Sequence, residues 1–197
     1  MDIVRDYMNT DFGTIREDSR PEEALSQLEG HSAGIVENYN HQPVAAVTVE
    51  EIRSAISAYA PPLIASVLTC TPRIKVRSDV NMREVIQSPF IKTLVEEVKT
   101  ALVVDHLNRP VGLLEADTVS RFMQSEIYSP ATELPGEFIN LSLTAYVLCK
   151  KCNYTNELTV QELNDLKEGT PNSAPNCKNP RSGIDKHRLA LREPEVF

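Results

Sequence analysis

The 197-residue chain is poor in glycine, with 7, and holds only 4 cysteines. So few glycines leave no Gly-rich loop of the kind that cradles phosphates on backbone amides. No run of about 18 apolar residues occurs, so no segment reads as a membrane span. The opening residues Met1-Asp2-Ile3-Val4-Arg5-Asp6 are charged, unlike a secretory leader. The expectation is a cytoplasmic protein whose cysteines are reduced or metal-bound. Positive charge is also lacking. The net charge is −8, which speaks against a nucleic-acid partner because phosphate binding calls for a cationic surface. A mildly basic stretch near the end carries Lys178, Arg181, Lys186, Arg188 and Arg192 against Asp185, Glu193 and Glu195; it reads as a solvated tail. No nucleophile stands beside a base at a catalytic spacing. His31, His41 and His106 fall in loops or turns, and the acid pairs Glu22-Glu23, Glu50-Glu51 and Glu96-Glu97 read as solvated helix faces. The chain is not expected to be an enzyme.

What the chain does have is an internal repeat. Thr14-Ile15-Arg16-Glu17-Asp18 is answered by Lys75-Val76-Arg77-Ser78-Asp79, an offset of 61, with Glu23 over Glu84. Further on, Gly34-Ile35-Val36-Glu37 is answered by Leu102-Val103-Val104-Asp105, an offset of 68. Gln42-Pro43-Val44-Ala45 is answered by Arg109-Pro110-Val111-Gly112. Two such units bury their apolar faces against one another, and a cleft between copies is a natural place for a ligand.

Each copy reads as strand, helix, strand, hairpin strand, helix. In copy one a strand at 12–16 precedes a helix capped by Ser19 with Glu22 three residues on. The strand 34–36, the turn Asn38–Pro43 and the strand 44–47 follow. Thr48-Val49-Glu50-Glu51 is a second capping box, launching a helix that carries Ile52, Ala55 and Ile56 on one face. Pro61-Pro62 ends that helix, and Leu63, Val67 and Leu68 make the connector pack on the body. Copy two repeats the order with extra residues, in which Ser88-Pro89 breaks a helical stretch so that 90–98 forms a separate helix. The domain reading is copy one over 1–60, copy two over 61–125, a linker over 126–140, and a distinct segment over 141–197.

The order and the strings resemble a tandem of cystathionine-beta-synthase-type (CBS) domains, the pair called a Bateman module. Val4-Arg5-Asp6-Tyr7-Met8 resembles the family's opening, and Asp18-Ser19-Arg20-Pro21-Glu22-Glu23-Ala24-Leu25 its first-helix signature. Ala101–Asp105 with Asn108–Leu114 resembles its central hairpin. The resemblance covers about residues 1–123. It implies an α+β fold (α/β-type repeats): two pseudo-symmetric copies with small mixed sheets and paired helices, dimerising into a flat disk. It also implies a regulatory role, in which an adenine nucleotide or an S-adenosyl compound binds the cleft and a partner protein responds. The family's hydroxyl and ribose-binding acid fall on Thr48 and Glu51 in copy one. In copy two Glu115 falls where the hydroxyl should be and Thr118 where the acid should be, and Ala45 stands where the family prefers glycine. A carboxylate beside a phosphate is repulsive, which counts against the second site. The candidate ligand-binding set is Thr48, Glu51, Thr14 and Thr118. The bland reading of Thr48 and Glu51 is a helix cap with no ligand, and the alternative function is a ligand-independent dimeric adaptor.

In the C-terminal segment, Cys149-Lys150-Lys151-Cys152 is a CxxC pair after the apolar stretch 143–148, and Cys177 and His187 follow. Two close thiols and distant further donors have the spacing of a zinc ribbon. The expectation is a small, β-rich, zinc-ribbon-like domain with Cys149, Cys152, Cys177 and His187 as ligands, folded by its metal. The alternatives are a reduced loop or a redox pair. Cys70, alone in an apolar connector, reads as a buried thiol.

Overall fold

The computed structural model describes residues 2–68, 71–127, 143–149, 151–152, 154–168, 174–180 and 188–191. Two compact units form, each from two pieces of chain. Unit 1 comprises 1–11 with 74–144, and unit 2 comprises 12–73 with 145–197.

In unit 2, β1 (Gly13–Arg16) pairs parallel with β2 (Ala33–Glu37), which pairs antiparallel with β3 (Pro43–Thr48). Helices α1 (Pro21–Gln27), α2 (Val49–Tyr59) and α3 (Ile64–Leu68) accompany this sheet. Its core gathers Ile15, Leu28, Val36, Val47, Ile52 and Leu68, together with Tyr146 and Leu148 from much later in the chain. Those two lie on β7 (Leu143–Leu148), which forms an antiparallel hairpin with β8 (Thr155–Leu158) and leads to α6 (Val160–Glu168). Tyr146 is buried and its hydroxyl donates to the Val44 carbonyl at 3.0 Å.

Unit 1 repeats the plan: β4 (Arg73–Arg77) pairs parallel with β5 (Thr100–Val104), which pairs antiparallel with β6 (Pro110–Glu115). Here α4 (Met82–Gln87), a π-helix (Thr93–Val98) and α5 (Ala116–Ile127) complete the copy. The repetition holds bond by bond. Glu17 N–H donates to Glu37 and Ser78 N–H to Val104, both at 2.9 Å. Val49 N–H donates to Ser32 at 2.9 Å and Ala116 N–H to Lys99 at 2.8 Å. Both hairpin turns use one device. Asn38 Oδ1 accepts the amides of Asn40 and Gln42, while Asp105 Oδ1 accepts those of Leu107 and Arg109. His41 and Asn108 supply the left-handed residue at φ 57° and 60°.

Strand register corrects the repeat alignment. Thr14 faces Ile35 while Lys75 faces Leu102, so the offset is 61 at the first strand and 67, not 68, at the second. Copy two therefore carries six more residues between these strands, and that stretch contains the π-helix. It closes at Lys99, whose φ is 67° and whose N–H donates to Leu94. The expected break at Ser88-Pro89 is present, with α4 ending at Gln87.

The opening segment and the connector were read in the sequence, but where the opening segment docks was not. In unit 1, the 3-10 turn Val4–Asp6 docks on copy two, Val4 N–H donating to Val80 and Arg5 N–H to Ser78. In unit 2, α3 makes the matching bonds to copy one, from Ile64 to Ser19 and from Ala65 to Glu17. The first helix also starts later than expected. Pro21 fixes its first turn, and Glu23 rather than Glu22 reaches back, to the Arg20 amide at 3.3 Å. The C-terminal segment is not simply β-rich, because α6 lies in it. The signal was in the sequence: Thr159 and Glu162 form a reciprocal capping box at 2.8 and 3.1 Å.

Candidate functional site

Strand β3 runs straight into α2, and Thr48 stands at the junction in an extended conformation. Its Oγ1 accepts the Glu51 amide at 3.0 Å, satisfying one of the helix's orphan donors. Glu51 then lies one turn in, and its carboxylate is engaged from behind. Arg73 Nη1 donates to Oε2 at 3.0 Å and Nη2 to Oε1 at 2.7 Å, and the Thr71 hydroxyl donates to Oε1 at 3.4 Å. The Arg73 side chain is 2% exposed and that of Glu51 22%.

Arg73 does more than balance Glu51. Its guanidinium also donates to the carbonyls of Ala46 at 3.3 Å, Val67 at 3.2 Å and Leu68 at 3.4 Å. These five bonds match the five N–H donors of a guanidinium. They join the end of β3, the start of α2 and the C-terminal carbonyls of α3, where a cation is favoured by the helix dipole. No local pattern marks this residue, because its partners lie up to 27 positions away.

Thr14, the third predicted residue, is exposed on β1 opposite Ile35 in the same sheet. Thr118 belongs to unit 1, on α5, where its hydroxyl accepts from Arg121 at 3.2 Å. Glu115 closes β6 at the position matching Thr48, and its carboxylate accepts the Asn9 side-chain amide at 3.1 Å. Gly112, matching Ala45, lies under a backbone crossing: a Cβ there would stand 2.9 Å from the Asn9 carbonyl oxygen. Unit 1 also holds a cavity of about 250 Å³ lined by Lys75, Arg77, Asp105, His106 and Asn108 among others. It lies at the Val104 end of β5, opposite the end that pairs with Glu115. Its charges are already matched, Arg77 by Asp79 and Asp105 by Arg109. The amide of Arg109 is the main cause that holds the Asp105 carboxyl down at about 2, with the guanidinium adding to it.

The cysteines converge. Cys149 follows β7 directly and is buried, as is Cys177, while Cys152 is exposed. Their three sulfurs lie within 4.8 Å of one another. Burial pushes the Cys149 thiol up to about 11, against the Lys151 amide that favours its thiolate. His187 and Cys70 lie outside the described residues. Arg188, next in the chain after His187, pairs with Asn176, the residue before Cys177.

Residues 4–58 match the family model described as the CBS domain. Among solved structures, the chain is similar to the CBS domain pair of protein MJ0100 in complex with 5′-methylthioadenosine and S-adenosyl-L-methionine. The identity is 20% over 63% of this chain and 97% of that one, with a TM-score of 0.49. It is similar to CBSX2 of Arabidopsis thaliana in complex with AMP, at 19% identity over 64% and 99% with a TM-score of 0.47. It is also similar to a CBS domain pair/ACT domain protein of Thermotoga maritima, at 14% identity over 64% and 98% with a TM-score of 0.44. The ligands named are those proteins' own. No curated protein matches the chain. No helix among the described residues is long and apolar enough to cross a membrane.

Proposed function

We propose that the protein is a regulatory, ligand-sensing module. Copy one takes an adenine nucleotide or an S-adenosyl-type ligand, and the cysteine-bearing segment relays the bound state to a partner protein, with the chain acting as a homodimer. The ligand class is the one the family resemblance implies. The observation that carries the reading is the placement of Glu51, one turn behind the Thr48 cap, with its side chain still 22% exposed. A carboxylate offers about four lone-pair positions, so the three bonds from Arg73 and Thr71 aim it while leaving one acceptor position for a ribose hydroxyl. Thr48 accepts from the Glu51 amide but keeps its own O–H as a donor for phosphate, beside the amides at the start of an 11-residue helix.

A second reading, the ligand-independent adaptor, is favoured by the five-bond engagement of Arg73, which gives Glu51 a complete structural role, and by Glu115 in copy two. Isothermal titration with AMP, ADP, ATP and S-adenosylmethionine separates the two. Binding of at least one, weakened about tenfold in Thr48→Val by loss of a hydrogen bond of about 1.4 kcal/mol, supports the sensor. No heat from any of the four, with the fold intact by circular dichroism, leaves the adaptor.

A further inference from the structure

The converging cysteines take no part in ligand contact at Thr48 and Glu51. We propose that Cys149, Cys152 and Cys177 hold one zinc ion as three thiolate ligands, with the fourth position taken by a further donor. The inference stands on the C-terminal segment alone and is independent of nucleotide binding.

The geometry is that of a CxxC knuckle beside the segment that carries Cys177. The knuckle is the turn between β7 and β8, closed where the Cys149 amide donates to the Tyr154 carbonyl at 3.0 Å. Within it the Lys151 amide donates to Cys149 Sγ at 3.4 Å, a bond that fixes the direction of the sulfur and suits a metal-bound thiolate. Cys177 comes from an irregular segment beside the Asn176–Arg188 bridge, and Cys152 Sγ stands 3.7 Å from Cys177 Sγ. A zinc–sulfur bond of about 2.3 Å in a tetrahedron puts sulfurs ~3.8 Å apart. A disulfide would need about 2.05 Å. The sulfur spacing is thus that of an edge of a zinc site, with the third sulfur within reach of the same centre.

A second layer holds the two thiol-bearing segments in place. Asn156 on β8 is fully buried, and its side chain bridges them: Nδ2 donates to the Tyr154 carbonyl at 2.7 Å and Oδ1 accepts the Lys178 amide at 2.7 Å. Lys178 Nζ adds a bond to the Glu157 carbonyl at 2.6 Å. A buried asparagine that joins the two segments carrying the thiols positions ligands as outer-shell partners do in zinc sites. Three sulfurs with tetrahedral spacing select a thiophilic ion, and zinc needs no redox partner to stay bound.

The test uses the full-length chain, reduced and reconstituted with zinc chloride, then desalted and measured by elemental analysis. The expected content is about one zinc per chain, falling below half in Cys152→Ser, whose exposed side chain can change without disturbing the core. Cobalt substitution should give the intense visible bands of a tetrahedral thiolate site, weakened in the same variant. As a readout that needs no variant, the wild-type chain is also melted with and without a chelator; the midpoint should drop with the chelator and recover on adding zinc. Asn156→Ala should weaken zinc affinity by about 10-fold or more. The assignment is overturned by less than half an equivalent of zinc in folded wild-type protein, by equal zinc in wild type and Cys152→Ser, or by iron or copper in its place.

Discussion

Arg73 and Glu51 stand 22 residues apart in sequence and meet through two charge-assisted bonds of 3.0 and 2.7 Å, one partner buried and the other partly exposed. An ion pair of this kind is sensitive to which half is removed. Taking away the carboxylate strands a buried guanidinium, at a cost of about 3–5 kcal/mol, whereas replacing both partners with apolar groups is often nearly neutral.

Glu51→Ala should therefore destabilise the chain by about 3–5 kcal/mol. Glu51→Gln, which retains an oxygen acceptor, should cost less. In the double variant Glu51→Leu/Arg73→Met, only part of the loss should be recovered, because the carbonyls of Ala46, Val67 and Leu68 lose their donor. Urea denaturation of the set checks this. Additive single effects would show that the pair acts as two unconnected residues.

Gly112→Ala should cost about 1–3 kcal/mol through overpacking. The added Cβ would stand 2.8 Å from Met8 Sδ and 2.9 Å from the Asn9 carbonyl oxygen. The sulfur can move, but the carbonyl belongs to the bridge between Asn9 and Leu113. Thermal melts compare it with the wild type, and an unchanged midpoint would mean the crossing is loose.

Asp105 should titrate near 2 in a carboxyl NMR experiment, well below its ordinary value of 3.8. Its folded-state value is depressed, so the stability it contributes is present above 3.8 and is lost as pH falls toward about 2. Since the amide at residue 109 is the leading cause, Arg109→Ala should leave most of the depression in place. A return to the ordinary value in that variant would assign the effect to the guanidinium instead.

Much of the fold was legible because it is written in local chemistry. The turn residues Asn38 and Asp105, the Thr48 cap and the break at Ser88-Pro89 each act on neighbours within a few positions, so the sequence displays them. The capping box at Thr159 and Glu162 was equally local and was overlooked inside a segment read as β-rich. Arg73 was hidden for a different reason. Its partners lie on β3, α2 and α3, and no periodicity announces a cation that becomes useful only when three elements close around it. The sequence paired Thr48 with Glu51 by spacing but could not reveal what stands behind the acid. For the cysteines, CxxC announced the knuckle; Cys177 is brought to it by the return of the chain beneath Asn156. The docking of Val4–Asp6 on copy two was also beyond reach, since both copies offer similar acceptors to such a segment.

Tyr146 and Leu148 fill the core beneath copy one although they enter the chain about a hundred residues after it. A shortened protein ending at residue 140 would not be a clean pair of repeats. It would strip two side chains each worth about 1.5–3 kcal/mol of burial and leave the Val44 carbonyl without the hydroxyl that seals it. Since Val44 lies on the strand that delivers Thr48 to its helix, a pull or a loosening at the cysteine end has a short mechanical route, four residues long, to the start of α2.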